Sequence, residues 1–305
     1  MNDTIKAQIE EQRSSQFQTR RATVPAMEER LYQLYPVLDQ GFVRVVDYMG
    51  DDGAIVQAAR VSYGKGTKAA RNDAGLIRYL MRHRHSTPFE MCEIKFHMKM
   101  PIFVARQWIR HRTANVNEYS ARYSVLDREF YVPAPEQLAA QSEVNNQGRG
   151  AVLEGPRAAE VLDLLKMDAA RSFDLYDDLL AEREDDQNQG LARELARMAL
   201  PLSTYTQWYW KIDLHNLLHF LGLRADPHAQ YEIRAYAELM LHMVRDWVPH
   251  ACAAFEDYRI GSFTLSKSML GVVQAWLNDQ EMDQDSSGLS KREWRELCDA
   301  LGRNA

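Results

Sequence analysis

Between Glu93 and Met100 the chain alternates strictly, with Ile94, Phe96, Met98 and Met100 on one side and Glu93, Lys95, His97 and Lys99 on the other. That period of two predicts a strand with one buried face, because successive side chains of a strand point in opposite directions. Pro101 follows at once, and its missing N–H suits the first turn of a helix, predicted from Ile102 to about His111. Four-residue spacing then sets Arg106 beside Arg110, and Gln107 beside His111.

The rest of the chain supplies one more clear strand and a run of helices. Residues 1–40 are polar, with few periodic apolar positions beyond a short helix over 27–34, and read as an extension outside the core. The β-branched and aromatic stretch within 41–49 predicts a strand closed by the turn Asp51-Asp52-Gly53. Asp52 is expected to cap a helix carrying Ile55, Val56, Ala59 and Val61 toward Tyr63, and a second helix is expected over 73–83. After a short extended piece at 130–135, residues 136–156 are rich in turn formers and read as a mobile loop or insertion. Helices are then predicted over 157–183, over 191–200, from a cap at Ser203 to Leu221, and from Asp226 to near Pro249. Residues 261–305 form a C-terminal extension with one or two helical stretches around an acidic turn at 279–285. Few strands followed mainly by helices indicate an α+β fold, with helices packed on a small sheet around a central domain at 41–260.

Immediately after the predicted helix the chain reads Q W I R H R T A N V N E Y S A R Y over 107–123. Arg110, His111, Arg112 and Arg122 gather there in a chain of net charge -6, so the cluster is not a by-product of a basic composition. Arginine forks match phosphate oxygens bidentately, and Asn117, Glu118 and Ser120 add directional donors and acceptors. Taken alone, the same charges also fit a solvated helix end complementing its dipole.

The arrangement goes further than the charges. An Arg-His-Arg triplet, seven intervening residues and Ser120, continued by Ala121, Arg122 and Tyr123, resembles the signature of the flavin-dependent thymidylate synthases. Ala59-Arg60-Val61-Ser62, His85 to Glu90, Pro101 to Gln107 and Leu223 to Gln230 also resemble that family, so the likeness spans about residues 42–260. It implies a small, mainly antiparallel sheet packed with several long helices. It also implies a homotetramer whose sites form between subunits, and conversion of dUMP to dTMP with methylenetetrahydrofolate as carbon donor and FAD, reduced by NADPH, as hydride source. By the same resemblance, dUMP is held by Gln107, Trp108, Ile109 and Arg110, by Glu118, Tyr119, Ser120, Ala121 and Arg122, and by Arg197 and Arg224. Arg224 matches the catalytic arginine: a fixed cation beside the uracil ring favours the N3-ionised form and steadies charge on O2 and O4. FAD is matched by Ser62, Thr87, Arg110, His111, Arg112, Asn117 and Glu118, and by Asp213, Leu214, His215 and His219. Asp213 stands where asparagine is common in relatives, and Met91 replaces a frequent histidine.

Other chemistries fit less well. Ser120 with His111 lacks an obvious third orienting residue for a nucleophilic triad. His215 and His219 lie one helical turn apart, but no carboxylate or cysteine completes a metal set, so no metal is expected. Arginines near Trp108, Tyr119 and Tyr123 suit nucleic-acid stacking, yet the acidic balance argues against a backbone-tracking surface. No glycine-rich dinucleotide loop is present, so the flavin is not expected to be held in a Rossmann manner. Three cysteines without metal-ligand or redox spacing are expected to be reduced thiols. No apolar run is long enough for a bilayer, and the N-terminus lacks a secretory apolar core, so the expected location is the cytoplasm.

Overall fold

The alternating segment lies at the centre of a five-stranded antiparallel sheet. The computed structural model describes residues 3–61, 73–143, 148–181 and 190–303. Its strands are β1 (Tyr35–Val37), β2 (Gly41–Met49), β3 (Glu93–Pro101), β4 (Asn115–Glu118), β5 (Ala139–Gln141), β6 (Arg149–Val152) and β7 (Tyr205–Asp213). The main sheet runs β1-β2-β3-β7-β4, while β5 and β6 pair as a separate hairpin. Ile94, Phe96, Met98 and Met100 are at most 1% exposed, as the period-two pattern requires.

The helices that precede the long C-terminal half are α1 (Asp3–Ser14), α2 (Pro25–Arg30), α3 (Asp52–Val61), α4 (Asp73–Arg82), α5 (Thr87–Glu90) and α6 (Ile102–Trp108). They are followed by α7 (Gly155–Leu180), α8 (Arg193–Ala196), α9 (Leu214–Arg224), α10 (Tyr231–Trp247) and α11 (Pro249–Phe255). Helix α10 supplies the largest apolar face: Tyr236, Met240, Met243, Val244 and Trp247 are all fully buried. Burial of each such side chain is worth about 1.5–3 kcal/mol.

Several expectations need correction. The helix drawn from Ser203 to Leu221 is strand β7 followed by helix α9. The aromatic run with Trp208, Trp210 and Ile212 inward pairs residue for residue with β3, and those cross-strand contacts outweigh helix periodicity. The helix expected over 191–200 shrinks to α8 and a 3-10 turn at Arg197–Ala199, because Pro201 disfavours helix in the residue before it. Residues 25–37 are not outside the core: Met27 is fully buried, Val37 is 6% exposed, and β1 pairs with β2. Asp51, not Asp52, caps α3, by accepting from Ala54 N at 2.9 Å. The Asp52 carboxylate instead accepts from His250 N and Ala251 N at the start of α11. Asp226 closes a turn onto His228 N at 2.7 Å, and α10 begins only at Tyr231.

The segment expected as a loop at 136–156 contains the β5–β6 hairpin, with 144–147 outside the described residues. Its anchor is Glu232, 2% exposed at the start of α10. Arg149 reaches both Glu232 oxygens at 2.5 and 2.6 Å, while Tyr131 Oη and Gln230 Nε2 donate at 3.0 and 2.9 Å. Burial pushes the Glu232 pKa up, but these bonds outweigh it and hold the carboxyl below its ordinary value.

The solvent-side face of the sheet carries its own polar row. Arg44 Nη2 donates to His97 Nδ1 at 2.9 Å, His97 Nε2–H donates to Gln207 Oε1 at 2.9 Å, and the imidazole stacks on Tyr209 at 4.8 Å. Burial and Arg44 push the His97 pKa down to about 4, so the ring is neutral.

The chain forms two units, Met1–Phe255 and Glu256–Ala305. The second begins five residues earlier than the extension expected from 261. It comprises a π-helical turn at Glu256–Ile260, then α12 (Lys267–Leu277), α13 (Gln284–Ser287) and α14 (Lys291–Ala300). Met269, Val272, Leu289 and Leu297 form its core, with Trp276 edge-on to Trp294 at 5.4 Å.

Two outcomes test this packing. A Cβ at Gly41 would collide with Tyr236 Oη and lie 2.7 Å from Val37 O and 2.8 Å from Lys99 O, so Gly41→Ala is expected to cost about 3 kcal/mol, measured as a lowered urea midpoint. An unchanged midpoint would show that the strand start is loosely packed. Arg149→Met leaves Glu232 buried without its cation and is expected to cost about 3 kcal/mol at neutral pH. The gap to wild type should narrow as pH falls through the depressed Glu232 pKa, since a protonated carboxyl no longer needs the partner; a pH-independent difference would contradict this account.

Candidate active site

Trp108 ends α6 fully buried, stacked on Phe220 of α9 at 4.5 Å and edge-on to Trp210 and Tyr236. This packing fixes where the Arg-His-Arg triplet leaves the helix. His111 N donates back to Trp108 O at 2.9 Å, and the His111 ring sits edge-on to the same Phe220 at 4.9 Å. Arg224, one turn beyond Phe220 on α9, donates from Nε to His111 Nε2 at 3.1 Å. His219 lies 6.2 Å from His111, centroid to centroid. Burial, the Arg224 cation and His219 push the His111 pKa down to about 4. Burial also lowers the Arg224 pKa, although a guanidinium remains charged in any working range.

The chain then runs out along β4, whose Asn117 and Glu118 pair with Tyr209 and Trp208 of β7. Buried Thr206 donates to Glu118 Oε1 at 2.8 Å and so orients that carboxylate. Beyond β4, Ser120 Oγ accepts from Arg122 N and Nε at 3.3 and 3.4 Å. Ser120 and His111 thus each serve an arginine, and no hydrogen bond joins them, which leaves the serine without a base.

Arg122 lines a cleft of about 470 Å³ shared with Val125, Leu191, Arg193 and Glu194. Arg193 closes its rim by donating to Tyr123 O at 3.1 Å, and Arg197 donates to Glu194 O at 3.1 Å. Arg193 and Glu194 had no mark in the sequence beyond standing just before Arg197. The expected residues therefore fall into two groups, His111, His219 and Arg224 near Phe220, and Ser120, Arg122 and Arg197 near the cleft. In the chain His111 and Ser120 lie on either side of β4, a strand about 13 Å long at the extended rise.

Elsewhere Arg30, Arg128, Arg149, Arg157 and Arg292 pair with carboxylates. Among the described residues, Arg110, Arg112, Arg122, Arg193, Arg197 and Arg224 form no ion pair. Thr87, at the first turn of α5, and Asn117 are exposed, with side chains free of hydrogen bonds within the described structure. Such a set of guanidinium groups without carboxylate partners suits an anionic ligand.

Some expected residues are constrained to other tasks. The side chains of Trp108, Ala121 and Leu214 are buried, so only backbone at these positions faces a ligand. Asp213 caps α9, accepting from Asn216 N at 2.9 Å and Asn216 Nδ2 at 2.7 Å. Ile109 and Tyr119 are exposed, Gln107 and His215 half-buried. Ser62 lies outside the described residues.

A family model described as thymidylate synthase complementing protein matches residues 44–250. A flavin-dependent thymidylate synthase of Ruegeria pomeroyi is 65% identical over 297 residues, covering 97% of each chain. One of Gluconobacter oxydans is 64% identical over 296 residues, covering 97% of this chain and 96% of its own. Both alignments are longer than the family model and extend beyond its limits. Among solved structures, a UMP/dUMP methylase, PolB from Streptomyces cacaoi bound with 5-Br dUMP, is 34% identical with a TM-score of 0.65, covering 73% of this chain and 97% of that one.

The cap at Asp213 carries a direct test. Asp213→Ala is expected to lose about 1 kcal/mol, whereas Asp213→Asn, an equally good cap, is expected to melt within a degree or two of wild type. Equal losses in the two variants would mean that the carboxylate charge, not the cap, matters there.

Proposed function

Because the chain belongs to the flavin-dependent thymidylate synthases, which convert dUMP to dTMP, we propose that its flavin is FAD, that NADPH reduces it, and that methylenetetrahydrofolate supplies the carbon. The observation that carries this reading is the set of unneutralised guanidinium groups, which suits a nucleotide monophosphate and a dinucleotide cofactor together.

Ser120, Arg122 and Arg197 would take the dUMP phosphate end, and Arg224 would face the uracil. Thr87, Arg110, Arg112, Asn117, His215 and His219 would hold FAD, with Glu118 between the two ligands. When bound, the flavin supplies the hydride that makes thiol attack on the pyrimidine unnecessary. The protein's own share is orientation and bias: Arg224 stabilises negative charge on the ring, and the arginine groups hold the phosphates. No cysteine suits a nucleophile. Burial pushes the Cys92 pKa up to about 12, and Cys252 and Cys298 are each 1% exposed. The spacing of the two residue groups along β4 favours sites completed by a second copy, in a homotetramer acting in the cytoplasm.

Purified protein is expected to form dTMP from dUMP only when FAD, NADPH and methylenetetrahydrofolate are all supplied, with UMP run in parallel as an alternative substrate. Turnover without flavin would refute the assignment. Cys92→Ala, Cys252→Ala and Cys298→Ala combined should change kcat by less than about threefold, a small effect on the transition-state scale; abolished turnover in a variant that still melts cooperatively would reinstate a thiol.

A further inference from the structure

The bond between Arg224 and His111 has a fixed polarity. Arginine only donates, so His111 Nε2 must accept, which makes the imidazole neutral and places its proton on Nδ1. His111 is itself held twice, through its backbone to Trp108 and through its ring to Phe220, and both of those side chains are fully buried. The Arg224 side chain is held far less: the residue is half-buried, and the bond to His111 is the sole side-chain hydrogen bond it makes among the described residues. A free arginine side chain carries about 2 kcal/mol of rotamer entropy, so one anchor at Nε decides how its charge is presented.

We infer that His111 is the positioning residue of Arg224, holding its Nε so that Nη1 and Nη2 face one planar imide edge of a pyrimidine as an end-on fork. With Nε occupied, the side-on pair of donors is no longer open. Two parallel N–H groups in one plane remain, and they match a ring nitrogen with its neighbouring carbonyl oxygen. An ionised imide presents two such in-plane acceptors side by side, so the fork can meet it with both donors. This inference rests on the proposed role of Arg224 and goes beyond it, since His111 was expected to serve the flavin alone. Removing the acceptor disorders Arg224 without removing its charge, so it should lower kcat more than it raises KM.

Two variants separate the alternatives. His111→Phe keeps a ring against Phe220 but removes the acceptor, whereas His111→Gln offers an amide oxygen near the position of Nε2. With FAD, NADPH and methylenetetrahydrofolate saturating, His111→Phe is expected to lower kcat at saturating dUMP by about 10- to 100-fold, the range for a misplaced catalytic group. His111→Gln should recover most of that loss. Independently of turnover, the ultraviolet spectrum of dUMP bound to flavin-free protein at mildly alkaline pH should show an ionised imide with wild type and with His111→Gln, but not with His111→Phe. Equal losses in both variants, or a spectrum of bound dUMP that His111→Phe leaves unchanged, would overturn the inference, the latter by showing Arg224 placed without the acceptor. An inactive wild type would instead refute the proposed function, and the spectra of bound dUMP would still judge the His111–Arg224 arrangement.

Discussion

The stack of Trp108 on Phe220 is the contact on which the rest depends. It joins the end of α6 to α9, and Trp210 and Tyr236 extend it to the sheet and to α10. Removing a buried ring of this kind costs about 3–5 kcal/mol, a large share of the 5–15 kcal/mol that holds an ordinary domain together. The two chain segments that carry the triplet and Arg224 diverge from this one contact. Their relative placement is therefore set by apolar packing, which is short-ranged and intolerant of shifts, and only then refined by a hydrogen bond.

The polar groups are organised around that packing. On the outer face of the sheet, Arg44, His97 and Gln207 satisfy one another in a row, and Glu232 draws the β5–β6 hairpin onto α10. These charges are spent on structure. Among the described residues, those of the triplet, Arg122, Arg197 and Arg224 are left without carboxylates.

How much of this was legible from residues alone follows from the range of each interaction. The period of two in β3, the proline after it and the apolar stripe of α10 are local patterns, and the structure follows them closely. Strand β7 was misread because its aromatics also fit helical spacing, and only pairing with β3 resolves the ambiguity. The cap of α3 was placed at Asp52 instead of Asp51 because the partners of Asp52, at the start of α11, lie about two hundred residues away. Motif matching named His111, His219 and Arg224, and Ser120, Arg122 and Arg197, as candidates. It did not reveal Arg193, the capping task of Asp213 or the bond from Arg224 to His111, each of which depends on how distant segments meet.

Sulfur exposure has a consequence for a flavin-dependent enzyme, because a flavin leaks electrons to oxygen whenever it is reduced. All three cysteines are buried, and the Cys92 thiol is held protonated, so peroxide released nearby meets no accessible thiolate. Among the described residues the exposed sulfur-bearing side chains are instead thioethers, at Met49, Met91, Met167 and Met198. Their sulfoxides are repairable, so oxidative wear falls on side chains whose loss is reversible.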